Sequence, residues 1–318
     1  MASSFWDTTS VTEIIGTMFD NLSVRELRPK YIFDSLSQDK NWQLSNPPKK
    51  GDTMTFVTLG SYTANTAALD ATNDSVSGGK TPSFARKSVS LELYGDHSSL
   101  DIMGMAPETF VDSVSDAAWA VGDQGMNSMN KIARAVWDKN KYSNEASGTI
   151  SSTYHYYGSD GTIGSIGSLK AVDVRKIFTD LKASNVKTFN DGLYRFVVDP
   201  IQAQQLRAET GNAAWRFPHA NQGELSRQIV DGEIGSFEGF MFVANNEVLG
   251  AGTGTITGYA VGEEAVGKAV GSDINISPNK VLRGTHENIL ILKWNSLVGY
   301  RVVRREALRT IETNNTRL

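Results

Sequence analysis

The chain has 318 residues, enough for one large or two modest domains with a real core, and a net charge of −4. A sequence pI of 5.7 gives no sign of a general nucleic-acid binder, and the lack of cysteine excludes disulfides, thiolate metal sites and cysteine nucleophiles. No apolar run approaches the roughly 18–20 residues that cross a bilayer. Asp7 and Glu13 stand where a signal peptide would be basic and then apolar, so a soluble product made in the cytoplasm is expected.

Residues 1–50 carry little periodic apolar pattern. Val11–Phe19, after Thr8, Thr9 and Ser10, predicts a short amphipathic helix, and Val24–Leu36 predicts another. Pro29, Pro47 and Pro48 interrupt the segment. So thin a core suits an arm lying across neighbouring subunits better than the start of a globular domain. Asp52–Leu59 and Arg86–Tyr94 alternate with period two and predict strands that pair antiparallel as a long hairpin. The polar stretch Ser61–Phe84 between them is longer than hairpin connections usually are unless they are functional.

The strongest periodic signal follows. Phe110, Val114, Ala118, Val121, Gly125, Met129, Ile132 and Val136 recur every three or four residues, the helical repeat. Pro107 and Glu108 suit the first turn, while Lys131, Arg134, Lys139 and Lys141 favour the C-terminal half. The predicted helix, Pro107–Asp138, is roughly 48 Å long at 1.5 Å per residue, with Gly122 and Gly125 as bending points.

Tyr142–Gly167 reads as loop and short strand, and Ser168–Asn185 as an amphipathic helix. Tyr194–Val198 is a strand that stops at Asp199-Pro200, where Pro200 opens a helix carrying Ile201 and Leu206. Asn221–Val230 predicts a further helix. Gly232, Gly235 and Gly239 then punctuate the approach to the strand Phe240–Val243, which Val243–Leu249 completes. Thr255–Val261 is a strand, Gly271–Lys280 a polar loop, and Asn288–Trp294 and Gly299–Arg304 two closing strands joined by Asn295–Val298. A polar tail, Glu306–Leu318, ends the chain.

Chemistry-bearing patterns are sparse. His97, His155, His219 and His286 have no metal-ligand spacing and read as surface or loop residues. The glycine clusters at 158–167 and 250–254 lack the Lys-Ser/Thr of a phosphate cradle, and no Gly-x-Ser-x-Gly elbow occurs. Glu233 and Glu238 flank Gly235, and Glu263 adjoins Glu264, as solvated or ion-paired carboxylates. No catalytic residue, cofactor or metal is expected.

The segment Leu193–Asn246 (strand, Pro200 turn, helix, then Gly232-Glu-Ile-Gly-Ser-Phe-Glu-Gly-Phe) resembles the central A-domain of tailed-bacteriophage major capsid proteins, the Hong Kong 97-type fold. The long hairpin followed by the long helix is similar to that family's E-loop and spine helix. The resemblance implies an α+β chain with an N-terminal arm (1–50), E-loop hairpin (51–95), P-domain with spine helix (96–167), A-domain (168–284), and closing P-domain strands with a C-terminal tail (285–318). It also implies hexamers and pentamers in an icosahedral head, non-specific contact with packaged double-stranded DNA, no membrane, and synthesis in the host cytoplasm before residence in the virion. A separate scaffold, a portal and a decoration protein are the implied partners.

Lys80 and Phe84 in the hairpin, and Arg25, Arg28, Arg301 and Arg304 in basic clusters, are the candidate assembly residues. Lysine–asparagine cross-linking occurs in one branch of the fold; neither a partner for Lys80 nor a catalytic Glu is identifiable here, and no cross-link is expected. Two alternatives stay open: an encapsulin-type cellular compartment, and a soluble α+β hydrolase or carbohydrate-binding protein using Glu233, Glu238 and His219.

Overall fold

The computed structural model describes residues 31–39, 47–60, 83–101, 107–144, 148–160, 166–210, 233–250, 254–283 and 286–316. A helical turn, α1 (Ile32–Ser35), and a two-residue strand, β1 (Gln38–Asp39), precede the hairpin of β2 (Thr53–Leu59) and β3 (Phe84–Ser90). The chain passes through Leu91 into β4 (Glu92–Asp101) and then the long helix α2 (Pro107–Asp138), whose bounds are those its periodicity predicts. After β5 (His155–Tyr157) come α3 (Ala171–Ala183), β6 (Tyr194–Val198), α4 (Pro200–Ala208), β7 (Glu233–Phe237), β8 (Phe240–Ala244) and β9 (Thr255–Val261). Two long strands, β10 (Val266–Arg283) and β11 (His286–Val302), and a last strand, β12 (Leu308–Asn314), complete the chain.

The strands form a four-stranded sheet ordered β1-β10-β11-β4, a six-stranded sheet ordered β5-β12-β9-β6-β8-β7, and the β2-β3 pair. The β6–α4 corner follows from its residues. Asp199 accepts a hydrogen bond from the Ile201 amide at 2.7 Å, and the Gln202 side chain accepts from the Asp199 amide at 3.1 Å, so a capping box closes around Pro200. The β7–β8 turn places Glu238 at φ 49° and Gly239 at φ 77°, the primed geometry that matches strand twist. A β-carbon at Gly239 would stand 2.3 Å from the Phe178 ring, so glycine is required there by contact as well as by φ.

Helix α2 joins two cores. Ala118, Val121 and Met129 pack on Ile276, Leu290, Leu292 and Trp294 of the four-stranded sheet, and Gly125 lets the Trp294 ring approach to 3.1 Å of where a β-carbon would be. Farther along, Ala133 and Trp137 enter the core of the six-stranded sheet instead. There Trp137, Phe33 and Tyr259 meet edge-on, with centroids 5.1, 5.4 and 6.1 Å apart. Such pairs add about 0.5–1.5 kcal/mol each beyond their buried area. The predicted stripe therefore rotates: Ile132 and Val136 are half-buried, and Ala133 and Trp137 take the buried positions. A helix drifts by about 20° per heptad relative to a strict heptad repeat, and two partners at different azimuths exploit the drift.

Four other expectations are corrected. Gly271–Lys280 is strand rather than polar loop, because Ser272, Asp273 and Asn275 are exposed while Ile274 and Ile276 face α2. The closing strands predicted at 288–294 and 299–304 are one continuous strand, β11. Residues 308–314 form a buried strand of the six-stranded sheet, not part of a polar tail. Its polar side chains have internal partners: Gln202 donates to Thr313 Oγ1 at 2.8 Å, and Arg309 donates to the Thr153 carbonyl at 3.1 Å. The strand predicted to continue through Leu249 ends at Ala244. The helices predicted at 11–19 and 221–230, and most of 24–36, lie outside the described residues.

Candidate assembly surfaces

The β2–β3 hairpin pairs in register from Thr53↔Ser90 to Leu59↔Phe84. Its root is a small core of its own, in which Met54, Phe56, Val89 and Leu91 pack against Ala269 and Leu297. Three glycines of β10 and β11 make that seat. Added β-carbons would fall 2.4 Å from the Phe56 ring at Gly267, 2.9 Å from Leu91 Cδ1 at Gly271, and 2.2 Å from the Ser90 carbonyl at Gly299. Backbone bonds lock the root: Gly51 donates to the Leu91 carbonyl at 2.9 Å, and Leu91 donates to that of Asp52 at 2.8 Å.

Beyond the root the pattern inverts. Leu59 and Phe84 face each other across the strands, Val57 stands two residues back on the same face, and the three are 63%, 57% and 48% exposed. Three exposed apolar side chains on one face of the hairpin make that face a candidate contact surface.

A second surface lies where α1 and β1 meet the body. The Tyr31 hydroxyl donates to Asp123 Oδ1 at 2.5 Å, and the Phe33 amide donates to the buried Asn130 Oδ1 at 3.0 Å. Lys268 stands 2.8 Å from Asp34, and the Tyr300 hydroxyl also donates to Asp34. Burial first, then the adjacent carboxylates, raises the Tyr31 and Tyr300 hydroxyls above the ordinary tyrosine value. Asp39 is raised by burial, against the pull of Lys268. Strand β1 adds parallel to β10, Gln38 opposite Gly267, which is also the seat of Phe56. The chain leading out of residues 1–30 thus enters the fold directly beside the hairpin root.

Of the candidate assembly residues, Phe84 lies on the exposed hairpin face. Arg301 donates to the Ser88 carbonyl at 2.7 Å and so fastens the hairpin root. Arg304 donates to the carbonyls of Ser184 and Asn185 at 3.1 and 3.2 Å, satisfying the C-terminal end of α3. Lys80, Arg25 and Arg28 lie outside the described residues. Sequence reasoning missed Gly267, Gly271 and Gly299, whose only signal was glycine recurring within strand-like stretches.

Glu238 pairs with Arg175 at 2.8 Å on an open hairpin turn, whereas the side chains of Glu233 and His219 lie outside the described residues. Among the described residues, no group of three His, Asp or Glu is placed to hold a metal. His155 departs from the surface reading: its side chain is fully buried on β5.

No family model and no curated protein matches the sequence. Solved structures do. The chain is similar to the capsid of Ralstonia phage GP4 over 92% of its length and 93% of that chain, at 15% identity and a TM-score of 0.68. The head structure of Helicobacter pylori bacteriophage KHP40 matches over 90% of this chain and 92% of that one, at 12% identity and a TM-score of 0.65. A virus-like particle from Pyrococcus furiosus matches over 93% and 98% respectively, at 10% identity and a TM-score of 0.51. At such identities the likeness is one of backbone architecture, and it runs nearly end to end. The chain has the Hong Kong 97-type fold of tailed-phage capsid proteins.

Proposed function

We propose that the chain is the major capsid protein of a tailed phage, self-assembling as hexamers and pentamers into an icosahedral head around double-stranded DNA. The observation that carries this reading is the hairpin face with Val57, Leu59 and Phe84 exposed, on a chain that matches the capsid of Ralstonia phage GP4 over 92% of its length. In a symmetric shell each such face is covered by a neighbouring copy, and modest contacts gain strength by repetition.

Residues 1–50 would act as the arm, 51–95 as the E-loop, 96–167 as the P-domain with its spine helix, and 168–284 as the A-domain. Residues 285–318 would return to close the P-domain and then enter the A-domain sheet as β12. The role is structural rather than enzymatic. A separate scaffold, a portal and a decoration protein are its expected partners; DNA contact is non-specific, synthesis occurs in the host cytoplasm, and the final location is the virion.

The virus-like particle among the neighbours supports a second reading, a shell enclosing no genome. Light scattering after size-exclusion chromatography tests the class: particles in the megadalton range support a shell, and a small discrete oligomer overturns it. Nuclease-protected double-stranded DNA in particles from infected cells separates a phage head from a genome-free compartment.

A further inference from the structure

The end of α2 meets the six-stranded sheet through a compact charged cluster. Asp138 closes the helix, and Lys141 of the following turn places its Nζ 3.1 Å from Asp138 and 3.9 Å from Glu312 of β12. His155 of β5, beside Glu312 in the parallel ladder, has its Nε2 3.7 Å from a Glu312 oxygen. Its Nδ1 lies 2.8 Å from Thr310 Oγ1. Tyr157 stands edge-on to the imidazole at 4.8 Å.

One arrangement pairs both groups at hydrogen-bond distance: the Thr310 hydroxyl donates to the Tyr154 carbonyl at 3.3 Å, offers a lone pair toward His155 at 2.8 Å, and leaves the ring hydrogen on Nδ1. A neutral ring then presents a bare lone pair from Nε2 to a carboxylate, and Nε2 has no hydrogen-bond partner among the described residues. The side chain is 0% exposed, so bulk water does not relieve the conflict. Charge counting agrees: Asp138 and Glu312 against Lys141 leave −2 + 1 = −1, and one proton on the ring makes the cluster neutral.

We propose that His155 is a proton-operated latch between the C-terminal end of α2 and the six-stranded sheet. Protonated, Nε2–H engages Glu312 and the joint is tight; deprotonated, a lone pair opposes the carboxylate and the joint loosens locally. The groups facing the ring are Glu312 from β12, Lys141 from the turn, Asp138 from α2 and Tyr157 from β5, with the buried Tyr259 of β9 coupled electrostatically to Asp138 and Glu312. His155, 3.7 Å away, and then Lys141 hold Glu312 below its ordinary carboxylate value against burial. Asn140 does not titrate; it donates to the Leu308 and Arg305 carbonyls at 2.6 and 3.2 Å and keeps the joint attached in both states.

The test is hydrogen–deuterium exchange of the full-length assembled protein from about pH 5 to pH 8, the range of histidine titration, corrected for intrinsic exchange. Protection in peptides covering residues 139–157 should fall several-fold as pH rises in the wild type and stay level in His155→Gln. If His155→Gln does not fold, Glu312→Gln carries the test, because it keeps the histidine and removes the acceptor; its profile should also be level. A level wild-type profile overturns the proposal. So does a pH dependence that survives either substitution, since it would belong to another group.

Discussion

Gly299 passes beneath Ser90 so closely that a β-carbon at 299 would stand 2.2 Å from the Ser90 carbonyl oxygen and 2.9 Å from Val89 Cγ1. A backbone carbonyl cannot swing aside as a side-chain tip can, so the hairpin root and β11 approach only through glycine. Gly299→Ala should cost about 1–3 kcal/mol by overpacking and should open the hairpin to proteolysis at its root. Gly254→Ala, where a β-carbon meets nothing within 4 Å, serves as the control and should leave the thermal midpoint unchanged.

Trp137 is the point at which the long helix enters the larger core, edge-on to Phe33 and Tyr259. Trp137→Ala should destabilise by about 3–5 kcal/mol, read in a denaturant titration. Val136→Ala, one residue earlier and half-buried, should cost clearly less. Equal losses would contradict the rotation of the buried stripe.

The elements legible in the sequence are those with a single local cause. The long helix has an uninterrupted 3.6-residue repeat and a proline at its start, and the β6–α4 corner announces itself through Asp199-Pro200. Strand β12 was illegible because Arg309, Thr310 and Thr313 are polar yet buried, each satisfied by a partner more than 100 positions away. The same applies to His155, whose environment is made by Thr310 and Glu312. Of the candidate assembly surfaces, the hairpin could be read from its alternation, but its glycine seat could not, since the seat exists only once β10 and β11 lie under Phe56, Leu91 and Ser90.

Leu59 and Phe84 form an exposed cross-strand apolar pair among the described residues. Leu59→Ser with Phe84→Ser should change monomer stability by no more than about 0.5 kcal/mol each, as exposed substitutions usually do. Assembly should fail or shift to much higher protein concentration, read by sedimentation. Unimpaired assembly would show that the face is not covered by a neighbour.

Tyr156 and Tyr300 donate their hydroxyls to Asp180 and Asp34, and burial followed by those carboxylates raises both above the ordinary value of 10.0. A raised folded-state value means the neutral hydroxyl is favoured by the fold, so the stabilisation is full below about pH 10 and is lost as pH rises further. Tyr300→Phe should be less stable at neutral pH by about 1.5–3 kcal/mol, the range for bonds to charged groups. It should also show a flatter alkaline limb in thermal melts taken from pH 8 upward. A limb as steep as that of the wild type would place the alkaline sensitivity elsewhere.

The central claim is that this chain is a shell subunit whose hairpin face is completed by another copy. Electron microscopy of the protein, expressed alone and with its neighbouring genes, tests it most directly. Closed polyhedral shells or hexameric capsomers in which Val57, Leu59 and Phe84 lie against an adjacent subunit are the expected result. A monodisperse monomer or dimer under every condition, with that face still open to solvent, would contradict it.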